Sequence, residues 1–251
     1  MNARHLPAAI AATIALIAST ACLAADPPTT RPAAVTTKPA AERTYIKVTA
    51  PLAPDSKEII TCLVDVNDAP EFKDWGVQAA NYALKCYPTI DKRIASPGYT
   101  APREFRLIIK PAKGVAYTTG KAITINTAYL KGHTDDFGMV AHELVHVIQQ
   151  YRGRGNPGWL VEGVADYVRY FVIEPGAKNA RFNPERSNYK GGYQPAAAML
   201  NWIEQKHPGA VVTLNQAMRQ GKYTPELFKE QAGGDPDDLW AQFKESLKPK
   251  N

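Results

Sequence analysis

A helical repeat of apolar residues is the clearest pattern in the sequence and lies between residues 137 and 148. Apolar side chains recur there every three or four positions, which places them on one face of a helix. Thr134, Asp135 and Asp136 suit the start of this helix, and Gly153 follows its predicted end. We therefore predict a buried amphipathic helix. Its apolar face comprises Phe137, Val140, Ala141, Leu144, Val145 and Ile148.

A second amphipathic helix is predicted directly after the first. Asn156 suits its cap and Pro157 its first turn. Gly163 would let this helix approach a neighbouring element closely, because glycine has no Cβ atom. The predicted apolar face comprises Leu160, Val161, Val164, Ala165 and Val168.

The rest of the folded part combines strands and helices. Short apolar runs rich in β-branched residues favour strands, whereas wider apolar spacing favours helices. The carboxy-terminal third is mostly helical, since its apolar segments open on residues that suit a first turn. Strands are predicted at 58–66 and 104–110, a hairpin at 114–130 with its turn at 119–121, and helices at 75–87, 194–207 and 235–247. These elements predict an α+β fold.

The amino terminus has the pattern of a cleaved secretory signal peptide over residues 1–24, with a short basic start, an apolar run and small residues before Asp26. The protein is therefore expected to be secreted or periplasmic. One alternative is an uncleaved anchor, although the apolar run at 8–25 is at the short limit for a membrane-spanning helix. Another is a lipoprotein anchored through Cys22, because the residues before it resemble a lipid-attachment box.

Composition predicts one folded domain at 45–251, preceded by an extended linker at 25–44 that is rich in proline, threonine and alanine. The net charge of +6 is spread without a dense cluster. That suits association with a cell wall or membrane surface and does not indicate nucleic-acid binding. In an oxidising compartment Cys62 and Cys86 would form a disulfide, and the alternative is two buried thiols.

The first predicted helix carries candidate chemistry. His142 and His146 are one turn apart and point the same way, so their imidazoles can bind one metal ion. Zinc suits them, because catalytic zinc takes neutral nitrogen ligands and usually three protein ligands in all. Glu143 lies about 100° round the helix from His142 and could act as general base without binding the metal. This is the H-E-x-x-H arrangement. The alternative is that both histidines are core residues.

A third metal ligand is expected from the second helix. Glu162 and Asp166 lie four residues apart on one side, where two like charges destabilise a helix unless a cation meets them. We assign Glu162 to the metal and Asp166 to the ring N–H of a metal-bound histidine, which fixes the tautomer of that ring. Alternatively, Asp166 pairs with Arg169.

H-E-x-x-H followed by E-x-x-x-D on the next helix is similar to the gluzincin pattern of thermolysin-like peptidases. More closely, residues 138–170 resemble the core of the basic secretory protein family, zinc peptidases of plants and bacteria. The resemblance implies a zincin-like fold, in which a mixed sheet packs on the active-site helix and an antiparallel edge strand holds an extended substrate. Residues 121–130 are the candidate edge. The matching positions are His142, Glu143, His146, Gln149, Glu162, Gly163, Ala165, Asp166 and Tyr167, of which Gln149 and Tyr167 are assigned to packing.

A peptidase also needs a group that stabilises the oxyanion. Tyr193 is the preferred donor, because 191–193 resemble the family's Gly-Tyr segment before a later helix, and His133 is the alternative. Together these features predict an exported endopeptidase with one Zn2+ ion per chain that acts on peptide or protein substrates. Two alternatives remain open: a wall- or polymer-binding module with a structural metal, and a zinc hydrolase of another amide.

Overall fold

The computed structural model describes residues 43–151, 155–177 and 181–249. The predicted signal peptide, Cys22 and nearly all of the predicted linker lie outside the described residues. Within the described ranges, no helix has both the length and the apolar character needed to cross a membrane.

A five-stranded mixed sheet forms the first layer of the fold. Its order is β1-β2-β3-β5-β4, with the three central strands parallel and the two outer strands antiparallel to their neighbours. The strands predicted at 58–66 and 104–110 are confirmed. The hairpin and its turn at 119–121 are also confirmed, but residues 127–130 of the predicted hairpin are helical. The bounds are β1 Ile46–Pro51, β2 Ile59–Asp65, β3 Glu104–Lys110, β4 Ala116–Thr119 and β5 Ala122–Asn126.

The predicted edge at residues 121–130 is wrong. This segment contains β5, which pairs with β3 on one side and β4 on the other. All five residues of β5 are buried, as expected for a central strand with apolar contacts on both faces. Gly120, at φ 58°, allows the tight turn that returns the chain, so β4 is the antiparallel edge strand.

Helices supply the second layer and the carboxy-terminal part. α1 and α3 contact each other and the sheet, and α4 packs mainly against α5. The helices predicted at 75–87, 194–207 and 235–247 are confirmed, the first with six more residues at its end. The bounds are α1 Lys73–Arg93, α2 Thr127–Leu130, α3 Gly138–Gln149, α4 Gly158–Val168, α5 Tyr193–Lys206, α6 Ala210–Gln220, α7 Pro225–Ala232 and α8 Pro236–Ser246.

The ends of α3 and α4 differ in detail from those expected. Asp136 Oδ1 accepts a hydrogen bond from Met139 N at 3.3 Å. Of the three residues expected at the start of α3, Asp136 therefore binds a backbone N–H of the first turn. α3 ends where Gln150 adopts a left-handed conformation, and Gly153 lies outside the described residues. Asn156 does not cap α4, because its side chain donates to Met218 O instead.

The cysteine pair is free, so the expected disulfide is absent. Cys62 lies on β2 and Cys86 on α1, and both are buried in the core. Burial raises the pKa of the Cys62 thiol to about 12, and burial is also the main cause that raises the pKa of Cys86 to about 11. Both side chains are therefore protonated thiols at neutral pH.

Gly163 is predicted to be required for the contact between α4 and α5. A Cβ atom at this position would lie 2.8 Å from Ala196 Cβ and 3.1 Å from Leu200 Cδ1. We expect Gly163→Ala to cost about 1–3 kcal/mol of unfolding free energy, measured by urea denaturation. Gly158→Ala in the same helix meets no atom within 4 Å and should be neutral or slightly stabilising. Equal stability of the two variants would contradict the close approach.

Candidate active site

α3 places two imidazoles side by side at the base of a cleft. His142 and His146 are one turn apart, and their Nε2 atoms are 3.2 Å from each other. All residues of α3 are buried except His146, which is half-buried at the cleft surface. The burial of the helix therefore fixes the direction in which both rings point.

Glu162 comes from α4 to the same point. Its Oε2 atom lies 3.2 Å from His142 Nε2 and 3.5 Å from His146 Nε2. Bonds of about 2.0–2.1 Å in tetrahedral geometry put ligand atoms roughly 3.3–3.4 Å apart. The three atoms thus have the mutual spacing of ligands around one zinc ion, and these residues form the candidate metal group within the described ranges.

The other nitrogen of each imidazole meets an oxygen acceptor. His142 Nδ1 lies 2.6 Å from Asp166 Oδ1, and His146 Nδ1 lies 2.8 Å from Gln149 Oε1. Each acceptor places the ring hydrogen on Nδ1, so neutral rings carry a lone pair on Nε2. Two nitrogen lone pairs and a carboxylate oxygen then converge without a hydrogen between them, which is an arrangement that a cation stabilises.

Two sequence assignments are affected by these contacts. Asp166 faces His142, whereas the side chain of Arg169 pairs with Asp136 at 2.6 Å and Glu174 at 3.2 Å. The assignment of Gln149 to packing alone is wrong, since its amide contacts a candidate ligand. Its place three residues after His146 on the same helix was the available signal.

The protonation states of the histidines and of Glu162 depend on one another. Burial by itself would lower the pKa of His142, but hydrogen bonds with Asp166 and Glu162 raise it to about 10. Burial would raise the pKa of the Glu162 carboxyl, yet its contacts with the two histidines hold it well below the usual range. Protons and a metal ion therefore compete for the same lone pairs, and metal binding releases protons.

Glu143 is buried beside the metal group without joining it. Its Oε2 atom accepts a hydrogen bond of 2.7 Å from the Thr118 hydroxyl on β4. No local sequence pattern identifies Thr118, because its contact with Glu143 depends on the pairing of β4 with β5.

Tyr193 reaches the site, whereas His133 does not. The Tyr193 ring stacks over His142 with centroids 6.0 Å apart, and the negative charge of Glu162 is the main cause that raises the pKa of its phenol. Gly192, at φ 74°, brings the chain close to Glu162, since a Cβ atom there would lie 3.2 Å from Glu162 Cβ. His133 instead stacks on Tyr129 and contacts Tyr129 O, outside the cleft.

The cleft has a volume of about 830 Å³ and runs between β4 on one side and α4 with the start of α5 on the other. α3 lines its base through Met139, His142, Glu143 and His146. The edge strand, the candidate metal group and Tyr193 therefore face one space large enough for a stretch of extended peptide.

The carboxyl end of α3 is held by residues distant in sequence. Arg219, on α6, donates to Gln149 O at 2.9 Å, and the Tyr99 hydroxyl donates to Ile148 O at 2.8 Å. A cation at a helix carboxyl terminus also interacts favourably with the helix dipole. These contacts satisfy the last carbonyls of the helix that carries both histidines.

The mixed sheet carries a cleft in which two histidines and a carboxylate form a candidate metal centre. A sequence model of the family described as peptidase of plants and bacteria matches residues 83–243, and the chain belongs to this family. The resemblance found in the sequence is thereby confirmed. No curated protein matches the chain.

Solved structures show a distant likeness. An M1 zinc metallopeptidase from Deinococcus radiodurans is 15% identical with a TM-score of 0.49, covering 83% of this chain and 53% of that one. A mutant of an M1 zinc metallopeptidase from that organism, bound to a Tyr-Ser-Ala substrate, is 12% identical with a TM-score of 0.48 and the same coverage. The chain thus spans about half the length of these structures.

Asp166→Asn is predicted to weaken zinc binding. The variant keeps the size of the side chain but removes the negative charge that orients His142, and loss of such a partner costs about 10- to 100-fold in metal affinity. Competition with a chromophoric chelator measures this change. Asp68→Asn, at an exposed position that does not line the cleft, should leave the affinity unchanged. Unchanged affinity in Asp166→Asn would show that this contact does not support the metal.

Proposed function

We propose that the protein is an exported, zinc-dependent endopeptidase whose metal ligands are His142, His146 and Glu162. The observation that carries the proposal is the convergence of two imidazole Nε2 atoms and one carboxylate oxygen at the spacing of tetrahedral zinc ligands. Two nitrogens and one carboxylate oxygen also match zinc's preferred ligands, and a catalytic zinc with three protein ligands would keep a fourth position for water. Membership of a peptidase family supports peptide bonds as the substrate.

Each residue around the proposed zinc site has a separate role in the reaction. When bound, zinc would act as a Lewis acid on the scissile carbonyl and lower the pKa of a water molecule. Glu143 takes one proton from the attacking water and passes it to the nitrogen of the leaving amine. Asp166 and Gln149 hold the two imidazoles in the tautomer that leaves Nε2 unprotonated. Tyr193 donates a hydrogen bond to the oxygen that gains negative charge.

The edge strand supports an extended substrate. β4 has one side without a partner strand in the described sheet, and that strand lines the cleft. Backbone pairing along β4 would recognise the extended shape of a peptide more than its sequence. Export rests on the signal-like residues 1–24, and the domain assignment 45–251 follows from them and from the linker composition.

Glu143→Gln is predicted to lower the rate of cleavage strongly while keeping the metal. We expect wild type and variant each to bind one zinc ion per chain, with kcat for an unfolded protein substrate lowered about 100- to 10,000-fold in the variant. Glu226→Gln, at an exposed position on α7, is the matched control and should retain full activity. Metal content and cleavage are measured on the same samples.

Each contrary result has a distinct meaning. Absence of bound zinc in the wild type would overturn the proposal. Zinc without cleavage by either protein would favour a structural metal in a binding module or hydrolysis of another amide. Equal cleavage by wild type and Glu143→Gln would remove Glu143 from the reaction.

Tyr193→Phe is predicted to lower kcat about 10- to 1,000-fold with little change in KM, because the hydroxyl would act on charge that develops in the transition state. Zinc content should be unchanged. Tyr45→Phe, at another exposed tyrosine, serves as control. An unchanged kcat in Tyr193→Phe would assign the donor to a different group.

A further inference from the structure

Thr118 faces α3 because of the alternation along β4. Ala116 and Thr118 are half-buried, whereas Tyr117 and Thr119 are exposed. Residues two apart on a strand share a face, so the Thr118 side chain lies on the side of the strand that looks towards the active-site helix.

The Thr118 hydroxyl lies within hydrogen-bonding distance of two oxygens of the same residue. It is 2.7 Å from Glu143 Oε2 and 3.0 Å from the Glu143 backbone oxygen. A hydroxyl has one hydrogen, so it donates to one of these atoms at a time. The shorter, charge-assisted bond is favoured while Glu143 is ionised.

The second acceptor matters when Glu143 holds a proton. The hydroxyl hydrogen can then turn to the backbone oxygen, and the threonine oxygen can accept from the carboxylic acid. The proton balance of the reaction is unaffected, because the hydroxyl hydrogen rotates without leaving its oxygen. One side chain thus fits both protonation states of the carboxyl group, and its β-branch restricts χ1.

We propose that Thr118 is a positioning residue that holds the general base Glu143 by Oε2 and leaves Oε1 for the attacking water. Within the parts of the chain that the structure describes, no group donates a hydrogen bond to Oε1. The inference rests on the proposed function, since it assigns Glu143 the role of base.

The contact between Thr118 and Glu143 joins two different elements of the fold. Glu143 lies on α3, but its partner lies on the edge strand along which an extended substrate would pair. Thr118 therefore connects the base to the element that would hold the substrate backbone. The distance from base to scissile bond is then set by a strand in the sheet, and small errors in this distance are costly in catalysis.

The test compares Thr118→Val, Thr118→Ala and Thr118→Ser with Thr49→Val. Valine keeps the branched shape without the hydroxyl, alanine removes both, and serine restores the hydroxyl. We expect valine and alanine to lower kcat about 10- to 100-fold, with KM, zinc content and thermal unfolding close to wild type. Serine should recover most of kcat, and Thr49→Val, at an exposed threonine on β1 that does not line the cleft, should match wild type.

Full activity in folded Thr118→Val or Thr118→Ala would overturn the inference, as would a serine variant that is as slow as alanine. Glu143→Gln is assayed alongside. If wild type cleaves and Glu143→Gln does not, a fully active Thr118→Val overturns only the role of Thr118. If wild type does not cleave, the proposed function and this inference both fail. If Glu143→Gln cleaves as well as wild type, the role of Glu143 as base and this inference fail together.

Discussion

The site depends on one constraint, namely that α3 is buried along almost its whole length and still directs two imidazoles into a cleft. The sheet and α1 cover one side of the helix, while α4 approaches from another and supplies Glu162 and Asp166. The 2.6 Å contact between His142 and Asp166 joins the two helices. A shift of either helix would separate the candidate ligands, so the packing that stabilises the fold also determines the geometry of the site.

Three carboxylates lie close together in the candidate active site, and each has different partners. Glu162 points at both Nε2 atoms, Asp166 lies behind one ring, and Glu143 is held by a hydroxyl from β4. Such proximity of like charges is unfavourable without positive charge nearby. The histidines supply that charge when protonated, and a divalent ion would supply it when they are neutral.

The sequence was sufficient to predict features that depend on local spacing. The H-E-x-x-H helix, the pair Glu162 and Asp166, the central strands and the hairpin turn follow from periodicity and residue chemistry. β1 was not predicted, although its alternate half-buried positions fit an antiparallel edge strand. The edge role given to residues 121–130 was wrong, because strand order depends on contacts between distant segments.

The roles of Thr118 and Gln149 were missed for related reasons. Thr118 meets Glu143 only after β4 has paired with β5, which no local pattern reports. Gln149 is on the correct face of α3, but a glutamine in a buried helix has many alternative partners. Gly163 was recognised because a glycine inside an apolar helix has few explanations other than a close neighbour.

The carboxyl end of α3 has a consequence for the synthesis of the chain. Arg219 lies 70 residues beyond the carbonyl that it meets at Gln149. A nascent chain that has emerged only through α5 already contains both histidines, Glu143 and Glu162, yet the end of its central helix lacks this guanidinium. This contact at the base of the cleft can therefore form only after Arg219 has been synthesised, later than all the candidate catalytic residues.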